Sequence, residues 1–174
     1  MFADPTQLKS PRPAAAAGGL AARFAAAGDP APPPDEGGEA ACPAFGYLRG
    51  TKDRALAVEF RFADGNTETL PYSHLAGWRF DPSVGLLLKY TADVVTLVLV
   101  RGSNLDAAAA PGGPNLLDGG FQRHRVVWVR EMDPAALKAV GDAGPTVDKI
   151  EITDFESHAD LKEWLAASAP VFVR

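Results

Sequence analysis

The sequence predicts a mainly β protein: a small antiparallel barrel of five to six strands over residues 45–133. A disordered tail over residues 1–44 precedes it and a short α/β appendage over residues 134–174 follows, expected to pack on the barrel. Three observations carry this reading. From Phe45 to Glu131, short runs rich in β-branched and aromatic residues recur at regular spacing between clusters of turn-forming residues, the pattern of an all-β domain. Leu86 to Val100 is the most concentrated apolar stretch, broken only by Thr91-Ala92-Asp93, and so reads as two strands. The first 44 residues are rich in Ala, Pro and Gly and lack the large apolar side chains that offset the entropy of ordering.

Taken in order, the tail offers Leu20 and Phe24, four apart as on one turn of an amphipathic helix, and a Pro32-Pro33-Pro34 run suited to polyproline recognition. Order is expected from Phe45-Gly-Tyr-Leu48. Next, Leu56, Val58, Phe60 and Phe62 alternate with Ala57, Glu59 and Arg61, giving a strand with one apolar face. Asp64-Gly65 predicts a type I′ hairpin, whose return strand, residues 66–70, should stop at Pro71 because proline lacks a ladder donor. Residues 76–80 read as a third strand, and Asp81-Pro82-Ser83-Val84-Gly85 as a turn. Residues 86–90 and 94–100 follow as strands four and five, the latter apolar on both faces and therefore covered on both sides. Residues 106–114 look like an insertion loop, 115–122 like a loose helical turn, and 126–130 like the sixth strand.

The last segment changes texture. Pro134 at a helix start and Gly141 at its end frame a short helix, and Ile150 and Ile152 mark a strand over 147–153. Ser157 can cap a second helix whose Leu161, Trp164 and Leu165 form an apolar stripe, expected to pack on the barrel.

Composition narrows the function classes. The formal charge is −5 over 174 residues, and residues 45–133 carry ten basic and ten acidic side chains, so no overall basic balance argues for nucleic acid. Cys42 is the only cysteine, which excludes an internal disulfide and a cysteine-based zinc site within one chain. Lys89 and Asp93 interrupt the longest apolar run, so no membrane span is expected. The absence of a secretory pattern points to the cytoplasm. His74, His124 and His158 have no ligand spacing, and neither a G-x-S-x-G nor a phosphate loop occurs. No catalytic residue, metal or cofactor is therefore expected, and an enzyme would need a site assembled only by folding.

The chemistry that stands out is a set of arginines, including Arg49, Arg54, Arg101, Arg123 and Arg125, interleaved with Tyr47, Tyr72, Trp78 and Trp128. Guanidinium forks and aromatic rings are the groups that hold phosphates and unstacked bases. The order Val58-Glu-Phe-Arg-Phe-Ala-Asp-Gly65, Phe80-Asp81 and Leu99-Val-Arg-Gly-Ser-Asn-Leu105 resembles the paired motifs of the Sm and Hfq-like families. That resemblance implies an SH3-like, strongly bent small barrel that assembles into rings and binds single-stranded RNA. It places Asp81 at the first motif's aspartate, and Arg101 and Gly102 at the second motif's nucleotide-contacting positions; Gly85 stands where the first motif carries asparagine.

Three readings follow. The leading one is a non-enzymatic binding or assembly module with a protein partner or self-association; the alternatives are a single-stranded RNA binder and an enzyme. The candidate binding residues are Arg49, Arg54, Tyr72, Trp78, Asp81, Arg101, Gly102, Asn104, Arg123 and Arg125. RNA binding requires the arginines to converge on one face. A protein partner requires an exposed apolar or aromatic patch, expected around Tyr47, Tyr72 or Trp78.

Overall fold

A computed structural model describes residues 37–173. The protein is mainly β, and its strands divide between two sheets that do not close into a barrel. The first sheet has the order β1-β2-β8-β3-β4, built from Glu39–Ala41, Phe45–Leu48, Val126–Arg130, Ala57–Arg61 and Thr67–Pro71. The second has the order β5-β6-β7-β9, from Leu75–Asp81, Gly85–Thr91, Val95–Arg101 and Lys149–Phe155. Proline ends β4 and a 3₁₀ turn, Tyr72–His74, redirects the chain, so β4 and β5 fall in different sheets.

The second sheet is a meander of hairpins completed by β9, which pairs antiparallel with β7 from Val95↔Phe155 to Arg101↔Lys149. The segment expected as an appendage thus supplies a full strand of this sheet. In the first sheet, β8 inserts between β2 and β3, antiparallel to β2 and parallel to β3. A parallel pair needs a long crossover, here everything between residues 61 and 126, which is why adjacent hairpins alone do not describe the chain.

Period-two alternation explains the layers. Leu86, Leu88, Tyr90, Val98 and Val100 face the first sheet and pack with Phe45, Val58, Phe60, Val126 and Val129. Leu87, Leu97 and Leu99 point the other way and join Phe155, Leu161 and Phe172. The second sheet is therefore covered on both faces, as the doubly apolar β7 predicts. Its outer cover is a helix over His158–Ser168, α2, with Leu161, Trp164 and Leu165 in that outer cluster. Ser157 caps α2 by accepting from the Asp160 amide at 3.1 Å. The shorter helix α1, Pro134–Val140, is capped by Asp133 and ends at Gly141, at φ 56°.

Several local expectations are corrected. The tail, with Leu20, Phe24 and the proline run, lies outside the described residues through residue 36, whereas Glu39–Ala41 within it forms β1. The Asp64-Gly65 turn is not type I′, because only Gly65 has positive φ. Asp64 instead accepts from the Asn66 amide at 2.9 Å, which holds its own backbone in the ordinary region. Leu56 is 89% exposed, since the strand begins one residue later.

Candidate binding surfaces

Among the concave surfaces of the described residues, two combine several charged side chains with a shaped lining. The first runs along the outer face of the second sheet. α2 covers the β7 and β9 side of that face, with Trp164 against Phe155 at 5.8 Å between ring centroids. Beside it, a groove of about 420 Å³ is lined by Leu87, Leu97, Leu161, Leu165 and Phe172. Gly77 opens the groove. It pairs with Lys89 on the outer face, and nothing lies within 4 Å of where its Cβ would be. Arg79 closes one end, its Nη1 donating to the Phe172 carbonyl at 2.7 Å.

The groove's charged lining, Arg79, Lys89 and Lys162, has one sign; His158 joins it and no acidic side chain does. On α2 this follows from spacing: His158, Leu161, Lys162 and Leu165 lie at i, i+3, i+4 and i+7, one helix face, which leaves Asp160 and Glu163 outside the lining. One wall is β5, an edge strand of the sheet, whose outer backbone groups have no strand partner among the described residues.

The second surface is a polar cleft of about 390 Å³ that includes Arg49, Thr51, Asp118, Gln122, Arg123 and Arg125 in its lining. Three of the arginines singled out from sequence meet here. Arg125 is buried, its Nε and Nη2 donating to the carbonyls of Leu48 and Arg49 at 2.8 Å each. Arg49 and Arg123 are exposed.

The other candidate residues lie elsewhere. Arg54 bonds the carbonyls of Thr51 and Asp53 in its own loop. Arg101 pairs with Glu151 at 2.9 Å and donates to the Ser168 carbonyl at 2.8 Å, so it ties β7 to β9 and to the end of α2. A Cβ on Gly102 would collide with the Thr146 carbonyl, and Asn104, at φ 53°, donates to the carbonyls of Asp142 and Gly144. This strand end therefore anchors the 142–147 loop. Asp81 accepts from the Ser83 amide at 2.9 Å within its turn.

The expected aromatic patch is absent from the described surface. Tyr47 and Tyr72 are buried, Tyr72 donating its hydroxyl to the Val126 carbonyl at 2.9 Å and stacking on His124 at 4.5 Å. Trp78 is half-buried against the inner core, with its strand segment along the groove. Burial is the physical reason: alternation turns Tyr47 and Trp78 toward the space between the sheets, and the 3₁₀ turn carries Tyr72 into the same core.

Sequence reasoning missed Gly77, Lys89, His158 and Lys162 as a set. The signal available was Lys89 on the same strand face as Leu87, a charge on an otherwise covered face, which marks where cover ends. Among the described residues no helix is long and apolar enough to cross a membrane, and no group of three or more His, Cys, Asp or Glu side chains could hold a metal ion. No protein-family model, curated protein or solved structure matches the chain.

Proposed function

We propose that this protein is a non-enzymatic binding module whose β5–α2 groove receives an acidic amphipathic segment of a protein partner. The observation that carries this reading is the groove's lining, an apolar floor rimmed by Arg79, Lys89, His158 and Lys162 without a carboxylate. Apolar side chains of the partner would fill the space over Leu87 and Leu97, and its carboxylates would meet the rim. The outer edge of β5, unpaired by any strand among the described residues, adds main-chain donors and acceptors beside the groove, the resource that strand addition uses. Such a surface gains affinity from a few buried anchors and selectivity from charge complementarity.

The RNA reading has less support from the same geometry. Its arginines do not form one track, since Arg101 is engaged with Glu151 and Arg125 with two backbone carbonyls. The family resemblance leans on Arg101, Gly102 and Asp81, each of which has a structural task here. The test of the groove is a titration of the ¹⁵N-labelled protein with a synthetic acidic amphipathic peptide and with a twin in which lysines replace its acidic residues. The expected result is amide shifts confined to Gly77, Arg79, Lys89, Leu161 and Lys162, seen with the acidic peptide only. Shifts centred elsewhere, or equal shifts with both peptides, would overturn the proposal.

A further inference from the structure

The polar cleft is lined by different residues from the groove and has a chemistry of its own. Its lining includes Arg125, 8% exposed, with only neutral carbonyls as hydrogen-bond partners among the described residues. The ion pairs among the described residues are Arg61 with Glu59 and Arg101 with Glu151; Arg125 has none. Burying a cation without a counter-ion is costly. At the rim, Arg49 and Arg123 make neither a side-chain hydrogen bond nor an ion pair among the described residues. Three arginines thus line one cavity and none of them is ion-paired, an arrangement matched to phosphate.

Another part of the lining is unusual. Leu116–Gly120 forms a single π turn, held by the Asn115 side chain accepting from the Gly119 amide at 3.0 Å. Such turns are rare and gather at functional sites. The turn brings Asp118 into the lining, yet Asp118 makes no ion pair with the arginines. A carboxylate held apart from nearby cations suits a ligand that carries hydroxyl donors as well as a phosphate.

We propose that this cleft binds the phosphate monoester of a small sugar or nucleoside. The phosphate sits on Arg49, Arg123 and Arg125, Thr51 and Gln122 supply neutral donors, and Asp118 accepts from a sugar hydroxyl. The cavity, about 390 Å³, is within the size range of small-molecule sites. A polynucleotide would need further cations for successive phosphates, and the neighbouring Arg54 is bonded within its own loop.

Calorimetric titration with inorganic phosphate, ribose 5-phosphate, adenosine 5′-monophosphate and a ten-residue oligouridine tests this. The expected result is that both esters bind more tightly than inorganic phosphate. Arg49→Glu and Arg123→Glu, both at exposed positions, should each weaken ester binding by at least about tenfold while leaving the groove's peptide affinity unchanged. Asp118→Asn should remove the preference for the esters over inorganic phosphate. In the unsubstituted protein, amide shifts on ribose 5-phosphate should centre on Gly119, Gln122 and Arg123, a readout independent of how any variant folds. Absence of ester binding, full binding by the glutamate variants, shifts centred elsewhere, or oligouridine binding with a salt dependence of more than about two phosphates would overturn the assignment.

Discussion

The carboxylate of Glu131 accepts from the amide of Ile150 at 2.7 Å, and this bond joins the two sheets. Its other oxygen accepts from the Ala63 amide at 2.8 Å. One side chain therefore satisfies an amide just past β3 and another in β9, on strands of different sheets. Glu131→Ala leaves both amides without that acceptor and should lower stability by about 1–3 kcal/mol, with Glu131→Gln intermediate because one oxygen remains. Urea denaturation of the three proteins checks this; equal midpoints would contradict it.

Trp128 is fixed on the outer face of the first sheet. Its Nε1 donates to Glu39 at 2.7 Å, and the guanidinium carbons of Arg61 and Arg130 lie 4.6 and 5.7 Å from its ring centroid. A Cβ on Gly46 would collide with the indole. Gly46→Ala should therefore destabilise by about 1–3 kcal/mol and change the fluorescence of Trp128, whereas alanine at Gly77, where the space is open, should leave stability within about 0.5 kcal/mol.

Burial raises the pKa of both Tyr72 and Tyr90, and Tyr90 adds to the effect on Tyr72. The unfolded chain then loses these protons at about pH 10 while the native chain keeps them. Stability contributed by the neutral phenols is complete below pH 10 and is lost as pH rises beyond it, by at most about 1.4 kcal/mol per unit for each phenol. The Tyr90 hydroxyl makes no hydrogen bond among the described residues, so Tyr90→Phe should stabilise the protein by about 1 kcal/mol at pH 7 and shallow the alkaline decline. Loss of stability in this variant at pH 7 would show that the hydroxyl has a partner.

Cys42 is buried, its thiol lies 3.5 Å from the Phe45 carbonyl, and burial raises its pKa. A thiol held neutral is a poor nucleophile. Alkylation at pH 8 should be slow in the native state and become fast on unfolding in urea; fast native modification would contradict the burial of this turn.

Where the sequence was legible, a local signal coincided with the tertiary outcome. Leu86–Val100 alternates into two apolar faces because both are covered, and the helix start at Pro134 and the cap at Ser157 follow from local chemistry alone. What escaped were the long-range choices. Nothing in Val126–Arg130 announces a parallel partner, because parallel and antiparallel pairings use the same strand chemistry. Glu39-Ala-Ala41 has little strand propensity and is held by its ladder to β2 and the bond from Trp128. Arg49, Arg123 and Arg125 were visible as residue types, but their meeting depends on where the 112–123 segment folds. The groove was least legible of all, since Lys89 and Lys162 lie 73 positions apart in the sequence and come together only because α2 packs on one half of the sheet face.

The most direct measurement of the central claim is a charge swap at that groove. Affinities of an acidic amphipathic peptide and its lysine-bearing twin are measured for the unsubstituted protein and for the Lys89→Glu, Lys162→Glu double variant, with Gly77→Val as a second block that fills the groove from an unstrained position. The expected result is that the unsubstituted protein binds the acidic peptide, that the double variant binds the lysine-bearing twin instead, and that Gly77→Val loses the acidic peptide while keeping its fold. Binding that ignores both the charge swap and the filled groove would contradict it.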